Sequence, residues 1–302
     1  MLKRILKLTG SLILVVVIMK IVGLDRLVDN LKSVNGLTVF LALCLCPFVV
    51  VLGAEKWRMI IRHEAKISFA DTMISFLGGM SLGLLTPARI GELGRIAFIA
   101  NGRRAALAGI ALYDRIIDME ITIAFGLIGA HMYFGFSGLL FVLAAVLVGG
   151  TVLFMPQKYY NLFYGIIRLL PYQHKIEAVM AGVKTIPAKT LGLCLFLRMI
   201  VSLIDVLQFY ILLNAFVSVS IIPVFVVYPV IIMINILPVT FMGIGMREGI
   251  AMLTLSKFGV PPEASVSASF LLFCLNTLLP GVIGTLLITR IQFVTKEQEK
   301  TN

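Results

Sequence analysis

Repeated apolar runs long enough to cross a lipid bilayer constrain this chain more than any other feature. A helix rises about 1.5 Å per residue, so about 20 apolar residues cover a hydrocarbon core of about 30 Å. Backbone that crosses lipid must satisfy its own hydrogen bonds, which a helix does within one segment. We therefore predict an all-α polytopic membrane protein with six spanning helices. The predicted spans are residues 5–24, 36–54, 105–134, 138–155, 190–213 and 264–289.

The composition leaves no room for a separate soluble domain. The 302 residues are 60% hydrophobic and only 14% charged, whereas soluble domains are about 45–50% apolar. The segments between the apolar runs are too short to build an independent core. We predict one integral membrane domain over residues 1–302, with halves at about residues 1–135 and 136–290 and a cytoplasmic tail at residues 291–302.

The net charge of +11 indicates topology rather than a nucleic-acid partner. Lysine and arginine residues stand at the ends of the apolar runs, and no basic run has interleaved aromatic residues. The one long polar connection, residues 157–189, mixes aromatic, aliphatic and basic residues. This pattern is typical of an amphipathic helix in the membrane interface, and we expect it on the inner leaflet.

Two further apolar regions, residues 69–100 and 221–258, are broken by proline and glycine and carry charge in the middle. Proline lacks a backbone N–H and clashes with the preceding helical turn, so the chain must break at Pro87 and at Pro238. As α-helices, the arms after these breaks are too short to cross the hydrocarbon core. We predict two re-entrant helical hairpins.

The order of these elements repeats along the chain. Each half has two spans, a hairpin and a third span, and the positive-inside rule gives a cytoplasmic N-terminus and C-terminus. The prediction is a pair of inverted repeats, with one hairpin entering from the cytoplasm and the other from outside. Inverted repeats with broken helices are an architecture of transporters. Gene duplication without a transport role is the alternative.

Both predicted hairpin turns contain proline, glycine, arginine and glutamate. A charge near the bilayer centre costs about 2.5–3.5 kcal/mol, so such residues are functional candidates. A helix N-terminus freed by a chain break favours an anion, and a guanidinium group can hold a phosphate with two hydrogen bonds. The candidate substrate-binding residues are Thr86, Arg89, Glu92, Thr240, Arg247 and Glu248, with Gly91, Gly243 and Gly245 in support.

The roles of the two glutamates remain open at this point. Glu92 and Glu248 can hold the guanidinium groups in place or meet a cationic headgroup. Alternatively, Arg89-Glu92 and Arg247-Glu248 are structural ion pairs that neutralise each other and hold the hairpins.

A third charged cluster, Asp114-Arg115-x-x-Asp118, lies early in the third predicted span. Arg115 and Asp118 are at helical i,i+3 spacing, so they can pair on one face and support the site. Anchoring at headgroup level is the alternative for this cluster. Arg198 and Asp205 share a face of the fifth span, and a partnership with the hairpins is open.

Other chemistries lack their motifs. The chain has no Gly-Lys-Ser/Thr phosphate loop for ATP, and Gly243-x-Gly245 lacks the context of a dinucleotide fingerprint. His63, His131 and His174 have no metal-ligand spacing, and no hydrolase motif is present. The sequence therefore predicts no catalytic residue, no cofactor and no metal site. The four cysteines fall within apolar runs, where packing is their expected role.

Three of these elements together resemble the lysylphosphatidylglycerol synthase transmembrane-region family, also called flippase-like or UPF0104-type. They are Thr86-Pro87-Ala88-Arg89-Ile90-Gly91-Glu92, Asp114-Arg115-x-x-Asp118, and Pro238 followed by Gly243-x-Gly245-Met246-Arg247-Glu248-Gly249. The resemblance covers almost the whole chain. It implies a membrane part that translocates lipid, with Arg89, Glu92, Arg247 and Glu248 at the lipid site and Arg115 and Asp118 in support.

Longer members of that family join this membrane part to a cytoplasmic aminoacyl-transfer domain, which is expected to be absent here. We therefore expect a lipid translocator rather than a lysyltransferase, located in the cell (inner, cytoplasmic) membrane. Its expected substrate is an anionic or aminoacylated phospholipid or a polyprenyl-phosphate lipid, and a lipid-modifying enzyme is a possible partner. The alternatives are a membrane subunit or enzyme of lipid modification, or a scaffold for a lipid synthase.

Overall fold

The computed structural model describes residues 34–135, 173–234 and 243–288, together with positions 32, 143, 147, 149–151, 153–155, 158 and 240. Every regular element in these residues is helical. The predicted span at residues 5–24 and most of the span at residues 138–155 lie outside the described residues, as do residues 157 and 159–172 of the segment 157–189.

The described helices follow the predicted order of spans and hairpins. They are α1 (Gly36–Ile61), α2 (Phe69–Leu84), α3 (Arg104–Phe134), α4 (Gln173–Lys184), α5 (Ala188–Asn214), α6 (Ile221–Ile234), α7 (Met246–Leu255) and α8 (Pro262–Ile288), with a 3-10 helix (Pro87–Phe98) after α2 and a short 3-10 turn (Ser256–Phe258) after α7. Within the described residues, α1, α3, α5 and α8 are long and apolar enough to cross a membrane. The protein is therefore a multi-pass helical membrane protein.

Helix α1 continues past the predicted end of its span. The sequence places the residues after Ala54 in a cytoplasmic connection, but the helix runs to Ile61 and buries Lys56 and Trp57. Hydropathy alone ends a span at the first charges, whereas a buried ammonium group is tolerated when acidic side chains surround it.

The first hairpin folds back on itself more closely than the sequence predicts. Its second arm is a 3-10 helix rather than the expected α-helix. A 3-10 helix rises about 2.0 Å per residue, so this arm is about 24 Å long, close to the length of α2 and longer than the same residues would be as an α-helix. A Cβ atom on Gly91 would lie 2.1 Å from the carbonyl oxygen of Leu82, so only glycine permits this approach.

The second hairpin consists of α6 and α7, which contact each other. The turn before α7 contains Gly243 and Gly245, whose φ angles are 74° and 84°. L side chains rarely adopt this region of backbone space, which explains the glycines at the start of α7. Pro238 and its neighbours lie outside the described residues.

Corresponding helices of the two halves make corresponding contacts with the opposite half. The second span of each half, α1 and α5, pack against each other. The last span of the first half, α3, packs against α6 of the second hairpin. The last span of the second half, α8, packs against α2 of the first hairpin, where the Ser81 and Thr285 hydroxyls share a 2.6 Å hydrogen bond.

Both of these crossings use a Gly-x-x-Gly pair on the last span. On α3, a Cβ atom at Gly129 would lie 2.4 Å from the Val226 carbonyl oxygen of α6. On α8, a Cβ atom at Gly284 would lie 2.1 Å from the Leu77 carbonyl oxygen of α2. Small residues let membrane helices approach closely, so each hairpin is held by a glycine pair from the opposite half.

Two apolar clusters form the packed interior of the described residues. One contains Trp57, Ile60, Ile110 and Ile117 from the first half, and includes Cys194. The other lies mainly in the second half and includes Phe209, Leu212, Leu255 and Leu272. Charged side chains gather at a cavity that residues of both halves line.

Candidate functional site: a charged cavity between the hairpins

A cavity of about 450 Å³ opens between the two hairpins and is lined by helices of both halves. This volume lies within the range of about 300–1,000 Å³ that is usual for ligand pockets. Its charged lining consists of Lys56, Arg89, Arg95, Arg115, Arg198 and Arg247 together with Glu92, Asp114, Asp118 and Asp205. Among the residues that the structure describes, the lining thus carries two more positive than negative groups, which favours an anionic ligand.

Most of the predicted site residues reach this cavity, and the others shape its turns. The lining includes Arg89, Glu92, Arg115, Asp118, Thr240, Gly243 and Arg247. Four predicted residues lie outside the lining, namely Thr86, Gly91, Gly245 and Glu248. The Thr86 hydroxyl accepts a 2.6 Å hydrogen bond from the Gly91 N–H, so both residues form the first turn.

At the tip of the first hairpin, one carboxylate joins two arginines. Arg89 contacts Glu92 at 2.5 Å, and Arg115 of α3 donates to the other Glu92 oxygen at 2.8 Å. Arg89 has a φ of 55°, a conformation that non-glycine residues seldom adopt and that often marks functional turns. Glu92 thus pairs with Arg89 within the hairpin and with Arg115 of α3.

Behind the tip, a chain of ion pairs links α1, the 3-10 helix, α3 and α5. Lys56 contacts Asp114 at 2.9 Å and also Asp118. Arg95 contacts Asp114 at 2.5 Å, and Arg198 reaches Asp118 at 3.4 Å. The partnership of Arg198 with the hairpins was left open by the sequence, and its ion pair is with Asp118 of α3. Asp118 thus pairs across helices, with Lys56 of α1 and Arg198 of α5.

The exposed fraction of Asp114 shows that these ion pairs lie inside the protein. Asp114 is only 1% exposed, so it points into the protein and is not anchored at headgroup level. The Arg95 guanidinium group stacks 3.7 Å from the Trp57 ring centroid, and the Trp57 indole N–H donates to Ser75. Ser75 in turn donates to the backbone carbonyl of Arg95. These contacts fix the 3-10 helix against α1 and α2.

The second hairpin differs in the residues that the structure describes. Arg247 and Glu248 are both buried, and no salt bridge within 4.0 Å joins them. Glu248 accepts a 2.7 Å hydrogen bond from the Gly245 N–H and thereby caps α7. The Arg247 guanidinium group instead lies 4.5 Å from the Phe273 ring centroid on α8.

A polar network in α5 and α8 completes the cavity wall. The Asn276 amide donates to Asp205 at 3.0 Å and to Gln208 at 2.6 Å, and Gln208 donates to the Ala42 carbonyl oxygen at 2.9 Å. Asn276 lies in a π-helical turn, Cys274–Leu278, within α8. Such turns are frequent at functional sites. Sequence reasoning missed Asn276 and Gln208, although two amide side chains within apolar spans are a visible signal.

A second ionic contact lies outside the spans, in the connection between α1 and α2. Glu64 accepts two hydrogen bonds from the Arg103 side chain, both at 2.9 Å, and one from its backbone N–H at 3.1 Å. The hydrogen bonds from Arg103 hold the pKa of Glu64 below its usual value. Nearby, burial and the charge of Arg62 lower the pKa of His63.

No metal site is apparent in the part of the chain that the structure describes, because no group of three or more His, Cys, Asp or Glu side chains lies close enough together. The described cavity offers a different chemistry. Its guanidinium, ammonium and hydroxyl groups can bind and orient an anion through charge-assisted hydrogen bonds.

The fold and the site define a class of protein: a multi-pass helical membrane protein with a charged cavity between two broken helical hairpins. Comparison with protein families identifies it further. The model of the lysylphosphatidylglycerol synthase transmembrane region matches residues 4–284, and the chain belongs to this family. Membership places it among membrane proteins of lipid metabolism or transport.

A similar protein is known from an archaeon. The UPF0104 membrane protein MJ1595 of Methanocaldococcus jannaschii is 25% identical to this chain, over 92% of this chain and 94% of the relative. The similarity therefore covers nearly the full length of both proteins.

Proposed function

We propose that this protein translocates a lipid with a phosphate-bearing headgroup between the two leaflets of the cell membrane. The observation that carries the proposal is the cavity of about 450 Å³, which lies among membrane helices and has an excess of positive charge. A headgroup fits such a cavity, while the acyl chains remain in the surrounding lipid. Anionic or aminoacylated phospholipids and polyprenyl-phosphate lipids share the required phosphate.

The mirrored contacts support a transport role. Each hairpin packs against the last span of the opposite half, α3 with α6 and α2 with α8. In inverted-repeat transporters, rocking of one repeat against the other opens a central site to alternate sides of the membrane. We propose the same motion here, with the two hairpins entering from opposite faces and both termini in the cytoplasm.

Reconstitution into lipid vesicles tests this proposal. Fluorescent phosphatidylglycerol, aminoacylated phosphatidylglycerol and polyprenyl phosphate are placed in both leaflets, and a membrane-impermeant quencher then measures exchange. We expect at least one of these lipids to cross faster than in protein-free vesicles, and a chain-matched, phosphate-free glycolipid to cross no faster. If none of the phosphate lipids crosses faster, the proposal is rejected.

Two controls accompany this measurement: a variant that should exchange lipid like the wild type, and denatured protein that should not exchange lipid. Gly192 lies on an exposed part of α5, and a Cβ atom there meets nothing within 4 Å. Gly192→Ala should translocate lipid at the wild-type rate. Protein heated past its unfolding temperature before reconstitution should give the protein-free rate.

A further inference from the structure

Not every cationic side chain in the described cavity lining forms a salt bridge with an acidic one. Five of the six cationic residues have an acidic partner within salt-bridge distance: Lys56, Arg89, Arg95, Arg115 and Arg198. Arg247 differs, because among the described residues no carboxylate lies within 4.0 Å of its guanidinium group. Among the described residues, Arg247 is therefore the one lining cation that forms no salt bridge.

Burial makes this unusual. Arg247 is only 8% exposed, and its Nε and one terminal nitrogen have no hydrogen-bond partner. An unpaired buried charge costs several kcal/mol, so a protein retains one where a ligand supplies the missing partner. The guanidinium group stacks on the Phe273 ring, and Arg247 is one of the residues that line the cavity.

A second unsatisfied group lies in the same lining. The Thr240 side chain is 4% exposed, and its hydroxyl has no hydrogen-bond partner. Gly243, which leads into the N-terminus of α7, also lines the cavity. This helix end favours negative charge through its dipole. The Glu248 carboxylate accepts the hydrogen bond from the Gly245 N–H, and Glu248 is absent from the described lining.

The first hairpin presents the opposite situation. Arg89 is already paired with Glu92, and Glu92 is shared with Arg115. A phosphate that bound Arg89 would have to displace this carboxylate. The two hairpins are therefore unequal as anion sites, although their sequences are alike.

We propose that the described residues form a single phosphoryl-binding subsite, at the second hairpin, from the Arg247 guanidinium group in the first turn of α7 and the Thr240 hydroxyl in the turn before this helix. The first hairpin is an ion-paired wall of the cavity and not a second phosphate site. This inference rests on the proposed function only for the source of the phosphate. The ligand is a phosphate ester, and either a lipid headgroup or free phosphate can supply it.

A pair of charge-conserving variants tests this asymmetry. Arg247→Gln/Glu248→Gln and Arg89→Gln/Glu92→Gln each remove one positive and one negative charge, so the net charge of the protein is unchanged in both. Binding of phosphatidylglycerol and of a chain-matched, phosphate-free glycolipid to the full-length protein is measured by native mass spectrometry. Thermal unfolding with increasing inorganic phosphate reports binding of the free anion.

We expect the double variant at Arg247 to bind phosphatidylglycerol at least about tenfold more weakly, because a charge-assisted hydrogen bond is lost. The double variant at Arg89 should stay within about twofold of the wild type. Arg247→Lys, which keeps the charge but loses the planar fork, and Thr240→Val, which loses only the hydroxyl, should each weaken binding several-fold.

Several outcomes would overturn the inference. One is an equal or larger loss for the Arg89 double variant, and another is equal binding of the phosphate-free glycolipid together with no stabilisation by inorganic phosphate. A third is Arg247→Lys and Thr240→Val proteins that unfold at lower temperature yet bind with unchanged affinity, which would make both residues merely structural. Stabilisation by inorganic phosphate without preference for the phospholipid would support the subsite and assign it to the free anion.

The two proposals fail separately. Arg247-dependent binding without lipid exchange in vesicles would retain the subsite and remove translocation. Lipid exchange that the Arg247 double variant leaves at the wild-type rate, with unchanged affinity, would retain translocation and remove the subsite.

Discussion

The Lys56 ammonium group of α1 lies 2.9 Å from the Asp114 carboxylate of α3, and this contact joins two membrane spans at a buried point. The same ammonium group contacts Asp118, so one lysine balances two carboxylates. The ion pairs of Arg95 and Arg198 extend the contact to the first hairpin and to α5. Lys56 is therefore at the centre of an ion-pair network whose residues line the cavity.

Replacement of Lys56 by methionine should destabilise the protein by about 3–5 kcal/mol. The methionine fills most of the space but leaves the buried Asp114 and the partly exposed Asp118 with less compensating charge. Thermal unfolding in detergent measures the effect. Lys56→Met/Asp118→Asn should recover part of the loss, since it removes one of the two stranded charges. Equal unfolding temperatures for wild type and Lys56→Met would contradict this role.

Alanine at Gly129 or Gly284 should destabilise the protein by about 1–3 kcal/mol each, because the new methyl group meets a backbone carbonyl oxygen of the facing hairpin helix. Alanine is the better helix former, so the clash must exceed a gain of up to about 1 kcal/mol. Gly192→Ala, with nothing within 4 Å, should be neutral or stabilising. Chemical denaturation of the three variants compares them, and three similar results would refute the close crossings.

Replacement of Asn276 by leucine should cost about 1–3 kcal/mol, because Asp205 and Gln208 both lose a hydrogen-bond partner. Asn276→Asp keeps the size of the side chain but sets a second carboxylate beside Asp205, and it should be at least as destabilising near neutral pH. Unfolding temperature is the measurement. A stable leucine variant would show that the network contributes little to the packing of α5 against α8.

Acid should weaken the connection between α1 and α3. Arg103 lowers the pKa of Glu64 in the folded protein below its ordinary value of 4.5. The folded state therefore binds fewer protons than the unfolded state in this window. The resulting stability is present above pH 4.5 and is lost as the pH falls through the lower, folded pKa.

Glu64→Gln and Arg103→Gln should each flatten this acid dependence, and the double variant should behave like either single variant. Unfolding temperature recorded from pH 7 downwards tests it. Single variants that keep the wild-type acid slope would assign that slope to other groups.

Hydropathy and helix-breaking residues were sufficient to predict the spans that became α1, α3, α5 and α8 and the breaks after α2 and before α7. These features depend on local composition and on the chemistry of proline and glycine. The sequence also indicated Arg89, Glu92, Arg115, Asp118 and Arg247 as residues that come together. Charge within apolar sequence was the signal for each of them.

Partner choice could not be predicted in the same way. Lys56 looks like the first residue of a polar connection, and only the packing of α1 against α3 and α5 shows that it is buried. The Arg-x-x-Glu and Arg-Glu spacings differ by two residues, and this difference decides the pairing. Glu92 lies one helical turn from Arg89 and can reach back, whereas Glu248 is adjacent to Arg247 and caps its own helix instead.

One signal in the sequence was available and not used. The segments Gly126-Leu127-Ile128-Gly129 and Gly281-Val282-Ile283-Gly284 occur in the last span of each half. Alignment of the two halves with each other would have matched these segments and predicted a close crossing in both. The partner of each crossing still required the structure, because a glycine pair does not identify the surface that it meets.

The crossing of α2 with α8 sets the order of events during biosynthesis. Ser81 and Thr285, which bond across it, are 204 residues apart, and a ribosome adds about 5–20 residues per second. The first hairpin therefore leaves the ribosome about 10–40 s before its glycine-bearing neighbour exists. During that interval another protein, such as the insertion machinery or a membrane chaperone, must shield the charged turn from lipid. A chain truncated before α8 would leave the turn without this support, and quality-control proteases would be expected to remove it.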